Sequence, residues 1–576
     1  MDVKSIIKKV LSKNSSLIIS LVFTMLFSIA AIISIPVIVK HVIDNIIIEN
    51  DVNSSRIIFW SVILLIIVTS GFFIEASRNK KSINLGNDVS ATLSKEAHSS
   101  LLRSELLDVN KIDKDKIYYK VVNDANIIGR DYITRNLVNI IYKAALFLAI
   151  NITLAIINPW FFLYILAAYP IYYFATKQID KSIDKRVEID RKLNEDYKSL
   201  LKENIDNVKN IKLLNGITKE EQNFNQIRND VDTSYRKTKI INLMNSNLVA
   251  LLIIGILFTM FIGYGSWMIL NNRSSTIGDL IAFFLLTPIA FIAFKSTMNS
   301  KILSHHYDKE FSELNEIISI KQENRAFTVQ SLDEIYSLKF KNVHFNYTRE
   351  AEFGLRDIDF ELKKGEKLGI LGLSKSGKTT ITDLITKIIR PRQGTISINN
   401  CDINRIDTYY LRELISIVPQ NFKFINGTIL ENIIYPYSFD EYKYNDALNK
   451  CRLKPTIYAL ENKEQTNIHD AFKVLDSTSI QKLALANAFY KDARIFVLDE
   501  VTSKMDEKSE KEMMDAVYRL KNKVMFIISN RIYNLMKCDK ILILNNGRVV
   551  EYGKTEKLIE DKKSTFAKML KESQTG

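Results

Sequence analysis

Five long stretches of this chain carry no Asp, Glu, Lys or Arg, and they decide most of what it can fold into: residues 14–39, 57–74, 144–176, 240–272 and 280–294, the last closed by Lys295. A hydrocarbon core about 30 Å thick is crossed by about 18–20 apolar residues in a helix, so all but the shorter last run meet that length. Residues 144–176 are long enough for two passes, with Asn158, Pro159 and Trp160 marking a turn beside an interfacial aromatic. Six spans are expected. The alternative, a soluble protein with several buried helices, has to bury runs of this length on every side.

The net charge of +14 is distributed as membrane topology requires. Lys4, Lys8, Lys9 and Lys13 precede the first run, and the segments 75–143 and 177–239 are rich in Lys and Arg, whereas 44–56 is not. Cytosolic loops carry that excess, so both termini and the C-terminal half are expected in the cytosol, and no nucleic-acid partner is inferred from the basic balance. The first run is too long for a signal-peptide core and is expected to remain as a span. Cys401, Cys451 and Cys538 lie on the cytosolic side without C-x-x-C spacing and suggest neither disulfides nor a metal site.

The two long charged segments are nearly free of Pro and Gly. Leu201, Ile205, Val208 and Ile211 recur at helical spacing, so helices are expected to continue beyond the bilayer, reversing near 108–111 and near 214–216. Beyond a further helix to about residue 320, short apolar strands alternate with helices and turns, the pattern of an α/β nucleotide-binding domain. The expected organisation is an α-helical six-span transmembrane domain (1–320), a linker (321–335) and a cytosolic α/β P-loop NTPase domain (336–576).

The second half contains Gly372, Leu373, Ser374, Lys375, Ser376, Gly377, Lys378, Thr379 and Thr380, which fit G-x-x-x-x-G-K-[ST] between a short apolar strand and a helix. Backbone N–H groups of such a loop cradle phosphate, its lysine neutralises the β/γ charge and its threonine hydroxyl reaches Mg²⁺. A nucleoside triphosphate ligand follows. Further on, the apolar strand 495–498 ends in Asp499 and Glu500, suited to hold the Mg²⁺ shell and to polarise an attacking water. Tyr347 is placed to stack on a base, or else is a strand-end core aromatic. Gln420 is a neutral amide able to sense the γ-phosphate and metal, or else a solvated loop residue.

The order Tyr347, 372–379, Gln420, Asp499-Glu500 behind six spans resembles the ATP-binding-cassette exporters in their half-transporter form. Residues 424–433 after Gln420, Pro36 with Ile43-Asp44, and 277–280 also fit, while Asn123-Asp124 and Glu203 with 211–214 are similar to the family's two coupling regions. The resemblance implies Mg-ATP bound between two cassettes, each P-loop closed by the other's signature loop. ATP would contact Tyr347 and residues 372–380 (Ser374, Lys375, Ser376 and Thr380 included). Mg²⁺ would contact Thr379, Gln420 and Asp499.

Two departures from that family stand out. The signature Leu-Ser-Gly-Gly-Gln is replaced by Leu475-Asp476-Ser477-Thr478-Ser479, a register set by Gln481 to Ala486, so an anion would face the γ-phosphate across a dimer. Asn530 stands where the family has His before Arg531; it can hydrogen-bond a phosphate oxygen but cannot shuttle a proton. Glu500, Gln420 and Asn530 are therefore the catalytic candidates in a chain equipped to bind Mg-ATP but damaged for turnover.

The partner expected is a second half-transporter, giving a heterodimer with an intact signature or a slow homodimer. The function expected is ATP-driven export of a peptide or other amphipathic compound across the lipid bilayer. Lipid or drug efflux, and an ATP-binding membrane regulator that hydrolyses poorly, are the alternatives. With the first span starting near residue 14, no peptidase domain is expected before it, which excludes leader-peptide cleavage by the chain itself.

Overall fold

The computed structural model describes residues 2–48, 54–112, 114–243, 248–270, 276–323, 332, 334–347, 354–373 and 375–575. Contacts divide the chain into two units, Met1–Leu102 with Asp113–Ser319, and Arg103–Ile112 with Ile320–Gly576.

The first unit is helical: α1 (Val3–Lys13), α2 (Ser15–Val42), α3 (Ser54–Arg103), then after the turn helix α4 (Leu106–Val109) of the second unit, α5 (Lys114–Tyr119), α6 (Asn139–Ile157), α7 (Pro159–Asp206), α8 (Val208–Leu213), α9 (Ile217–Leu243), α10 (Val249–Leu270), α11 (Ile277–His306) and α12 (Asp308–Ile318). α1 is amphipathic, burying Val3, Ile6, Ile7 and Val10. Among the described residues five helices are long and apolar enough to cross a membrane: Ser15–Asn45, Ser55–Arg103, Ile117–Ile157, Val249–Leu270 and Ile277–Met298. The fourth expected span is the opening of α7 and is not one of these, because Tyr164, Tyr169, Tyr172 and Tyr173 interleave its aliphatic residues.

Apolar residues four apart define the inward faces, such as Leu146, Ile150 and Leu154 on α6. The same unit holds an aromatic cluster in which the Phe161 ring lies 5.3 Å from Phe283 and 5.6 Å from Phe261. The outward faces are as apolar as the interior: Phe59, Leu65, Phe72 and Phe73 of α3 are exposed. In lipid that surface needs no burial, because the backbone is satisfied within each helix.

Between α5 and α6 the chain is π-wound over Lys120–Asp124 and Ile127–Val138. There it crosses α3 with backbones in contact. A Cβ on Gly129 would lie 2.5 Å from the Gly86 carbonyl oxygen, and one on Gly86 would lie 2.6 Å from that of Gly129, so only glycine fits.

Polar side chains within the spans bond to neighbouring groups of the same unit. Tyr169 Oη donates to Asn151 Oδ1 at 3.1 Å, Asn151 Nδ2 to the Phe147 carbonyl at 2.8 Å and Thr153 Oγ1 to that of Ala149 at 2.9 Å. Asn245 and Asn247 lie outside the described residues. At the outer end, two stretches singled out by resemblance meet. Asp44 accepts from Gly278 N at 2.8 Å and Thr276 Oγ1 at 2.7 Å, and Lys40 of α2 pairs with buried Asp279 of α11.

The reversal after α3 falls on residues 104–112, around α4. Asn123 and Asp124, matched by resemblance to the first coupling region, are not at that turn. They lie beyond it in the π-wound helix, with Asp124 buried. Residues 103–112 belong instead with the second unit: Glu105 N donates to the Lys321 carbonyl at 3.0 Å and Glu323 N to that of Arg103 at 2.8 Å. The second reversal uses α8 and left-handed Asn215, and leaves Leu213 and Leu214 exposed.

The second unit holds two sheets. The strands are β1 (Ser337–Asn346), β2 (Gly354–Lys363), β3 (Lys367–Gly372), β4 (Gln393–Ile398), β5 (Cys401–Asp402), β6 (Ile415–Val418), β7 (Ile495–Asp499), β8 (Val524–Ile528), β9 (Lys540–Asn545) and β10 (Arg548–Lys554). The antiparallel sheet has order β2-β1-β4-β5, and the larger has order β10-β9-β3-β8-β7-β6, parallel apart from its β9–β10 hairpin. Its central strands read as near-continuous apolar runs because both faces are covered. Adjacent β3, β8 and β7 all end on one edge, which brings the loops after them together.

Replacing Asp279 by Ala should leave Lys40 with Asp44, 3.5 Å away, as its remaining carboxylate partner. Thermal unfolding in detergent should show a loss of about 1–3 kcal/mol, with Asp279→Asn less affected.

Candidate functional site

β3 delivers the phosphate loop to the sheet edge, and α13 (Lys378–Ile385) leaves from it. Gly377, at φ 108°, has a backbone that only glycine adopts without strain, and Lys375 is also left-handed at φ 64°. A Cβ on Gly372 would meet Ser376 Oγ at 2.4 Å and the Leu544 carbonyl at 2.6 Å, so the loop closes only with glycine. Ser374 lies outside the described residues. Ser376 Oγ is buried without a hydrogen-bond partner, a cost left standing where a phosphate oxygen would remove it. Thr379 is exposed at the mouth and Thr380 is buried behind it.

Lys378 is buried and its ammonium is fully engaged. It donates to the carbonyls of Gly372 at 2.6 Å and Leu373 at 3.2 Å and to Asn530 Oδ1 at 3.1 Å, and lies 3.5 Å from Glu500 Oε1. Glu500, from the loop after β7, is left-handed at φ 50°. Its carboxylate accepts from Gln420 Nε2 at 2.7 Å and from Asn530 Nδ2 at 2.8 Å. Asn530 therefore bridges the lysine and the carboxylate with its two amide atoms. The loops after β3, β6, β7 and β8 thus converge on one point, and Lys378, Gln420, Glu500 and Asn530 are brought together.

Asp499 is buried at the end of β7 with Oδ2 3.4 Å from Thr379 Oγ1. Burial, then the Glu500 charge, pushes its carboxyl up to about 6. Asp383 of α13 is raised to about 6 by burial and then by Asp499. Among these groups Thr379 Oγ1, Asp499 and Gln420 fit an Mg²⁺ shell of hard oxygen donors. Tyr347 is half exposed, its Oη 3.3 Å from Thr380 Oγ1 and its ring edge-on to Phe345 at 5.0 Å, so it flanks the phosphate loop with a free face.

Glu510 is absent from the sequence reading and holds the site together from beneath. It is fully buried in the helix Glu507–Tyr518 and accepts from Thr502 at 2.6 Å, Asn534 at 2.6 Å and Tyr533 at 2.5 Å, and pairs with Arg531. Burial raises its pKa, but these hydrogen bonds outweigh that and hold it below the ordinary value. It ties the loop after Glu500 to the loop after Asn530. Asp383 was likewise missed. Neither has a motif around it; the apolar spacing of Met513, Met514 and Val517 after Glu510 is the only sign that its helix faces inward.

At the signature position Asp476 caps the helix Ser477–Lys491, accepting from Ser479 N at 3.1 Å. That bond, with the Ser479 hydroxyl, holds Asp476 below the usual carboxylate range despite some burial. The helix N-terminus is thus already neutralised by its own chain. Ser477 Oγ donates to the Lys504 carbonyl at 3.3 Å, fastening this turn to the loop after Glu500.

A helical membrane domain followed by a P-loop domain of this topology defines an ATP-binding-cassette transporter. Residues 17–294 match the family model for the ABC transporter transmembrane region and residues 355–503 that for the ABC transporter domain. The chain belongs to the ABC transporters, in the half-transporter arrangement of their exporters, and is a multi-pass membrane protein.

Among its relatives, the lactococcin-G-processing and transport ATP-binding protein of Lactococcus lactis is 25% identical over 78% of this chain and 63% of its own length. The ATP-dependent lipid A-core flippase of Saccharophagus degradans is 34% identical over 40% of each chain. The chain thus spans less than two thirds of the curated relatives it matches. A bacterial Atm1-family ABC exporter solved with ATP bound shares the fold at a TM-score of 0.78, covering 97% of this chain and 98% of that one at 20% identity.

Glu510→Ala should destabilise the second unit by about 1–3 kcal/mol, read by denaturant unfolding of the full-length protein, because buried Thr502 and Asn534 lose their acceptor. Since Asp499 must be deprotonated to ligate metal, Mg²⁺-dependent nucleotide binding should weaken as pH falls through about 6. Titrating with a fluorescent nucleotide from neutral to mildly acidic pH reads this, and Asp499→Asn should flatten the pH profile.

Proposed function

We propose that this chain, comprising a transmembrane domain (1–320), a linker (321–335) and a cassette (336–576), is one half of an ATP-driven exporter of amphipathic compounds in the plasma membrane. The observation that carries it is the convergence of Lys378, Glu500, Gln420 and Asn530 around a phosphate loop with an orphaned Ser376 hydroxyl. Loop amides, Ser376 and Lys378 bind the phosphates of ATP, and Tyr347 presents its free face to the base. Thr379, Asp499 and Gln420 would hold Mg²⁺, which would supply positive charge to the transferred phosphoryl group. Glu500 accepts the proton of the attacking water, with Gln420 and Asn530 orienting its carboxylate. Asn530 cannot take a proton as an imidazole does, which slows turnover.

The self-capped Asp476 turn supports a heterodimer. It has the Ser479 amide already bonded to Asp476, lacks a glycine backbone for a γ-phosphate to approach, and adds a negative charge. A second half-transporter with an intact signature completes the site built on Lys378 and Glu500. The site that uses 475–479 of this chain binds ATP with little turnover. The names of the bacteriocin and lipid A transporters among the relatives support a peptide or lipid-like cargo.

The isolated chain should bind Mg-ATP and hydrolyse it slowly. Brisk turnover by the chain alone excludes the heterodimer. Glu500→Gln should abolish residual hydrolysis, by about 10²-fold or more, while nucleotide binding stays intact. ATP-dependent accumulation in inverted vesicles carrying both halves separates transport from a purely regulatory role.

A further inference from the structure

The second unit holds a cavity of about 380 Å³ that shares only Tyr347 with the candidate nucleotide site. It lies at the end of β1, walled by Tyr347, by Glu105 and Leu107 of the turn after α3, and by part of the segment 387–392 that joins α13 to β4.

Its two carboxylates are already neutralised. Glu105 Oε1 lies 2.9 Å from Lys321 Nζ, and Glu323 accepts from both terminal amino groups of Arg412, at 3.0 and 2.7 Å. Three further cations line the cavity, Lys387, Arg390 and Arg392. Among the described residues none of the three forms an ion pair.

The fold holds this surplus charge in place. Lys387 is buried and left-handed at φ 56°, and its ammonium donates to the Ile406 carbonyl at 2.6 Å. An ammonium carries three donors, so two remain. Burial and then the Arg390 charge pull the Lys387 pKa down, and the attraction of Asp407 and Asp402 does not outweigh them. Arg390 is half-buried, Arg392 is exposed, and among the described residues neither guanidinium bonds to the protein. Like charges held together repel, and an anion between them replaces that repulsion with charge-assisted hydrogen bonds. Guanidinium forks match phosphate oxygens in particular. The volume is that of a small-molecule site.

We propose that this cavity is a second anion site of the cassette, taking a soluble, phosphate-bearing small molecule through Lys387, Arg390 and Arg392. It goes beyond the exporter reading, because it calls for neither transport nor hydrolysis.

The test is calorimetric titration of pyrophosphate into the full-length chain in detergent. The phosphate loop is first saturated with the non-hydrolysable ATP analogue AMP-PNP, with Mg²⁺ kept in excess. One pyrophosphate should bind per chain. Arg390→Gln with Arg392→Gln should weaken it by about a hundredfold, since each removes a charge-assisted contact. Lys341→Gln, exposed on β1 outside the cavity, should leave it unchanged. Without pyrophosphate, the double variant should unfold at the wild-type denaturant midpoint or above it, because it loses repulsion and no internal bond.

No pyrophosphate binding beside saturating AMP-PNP, or undiminished binding in the double variant, overturns the proposal. So does a lowered midpoint, which would give the arginines to the fold instead. AMP-PNP binding is read first and separately. A chain that takes no nucleotide therefore fails the exporter reading, while this site is still decided by the pyrophosphate affinity lost in the double variant.

Discussion

The carboxylate of Glu500 is the knot that ties the candidate site together. Gln420 and Asn530 each donate to one of its oxygens, and Lys378 lies 3.5 Å away. Those residues come from four loops, and only the parallel order β3-β8-β7-β6 sets them on one edge. The backbone helps: Glu500 N donates to the Ile528 carbonyl at 3.0 Å, so the strand pairing that builds the sheet also aims the residue. Beneath it, buried Glu510 fixes the two flanking loops to each other. A left-handed glutamate is held there because its surroundings over-determine it.

The same physics explains what the cassette lacks. A signature turn works by leaving amides and helix dipole free for a phosphate on another chain. Asp476 supplies an anion from within and occupies the Ser479 amide, so the turn is locally stable and carries a negative charge of its own.

In the membrane unit, the helices were legible because a run without charge needs no partner to be recognised in lipid. The opening of α7 was legible too, as a run without charge, although its tyrosines lower its hydropathy and Tyr169 turns its hydroxyl to Asn151. The place of the first turn shows the limit of the sequence reading. Asn123 and Asp124 resembled a coupling segment by their letters, but the reversal came earlier, where Glu105 and Glu323 could pair backbones with Lys321 and Arg103.

The sequence by itself determined the membrane helices, the P-loop, the Asp499-Glu500 strand end and the loss of the signature, because each is a local pattern whose chemistry needs only its neighbours in the chain. Tertiary structure alone decided that Asn530 bridges Lys378 and Glu500 and that Glu510 binds the loops together. These depend on which groups the fold leaves within about 3 Å of each other, and a hydrogen bond's range is too short for sequence spacing to report.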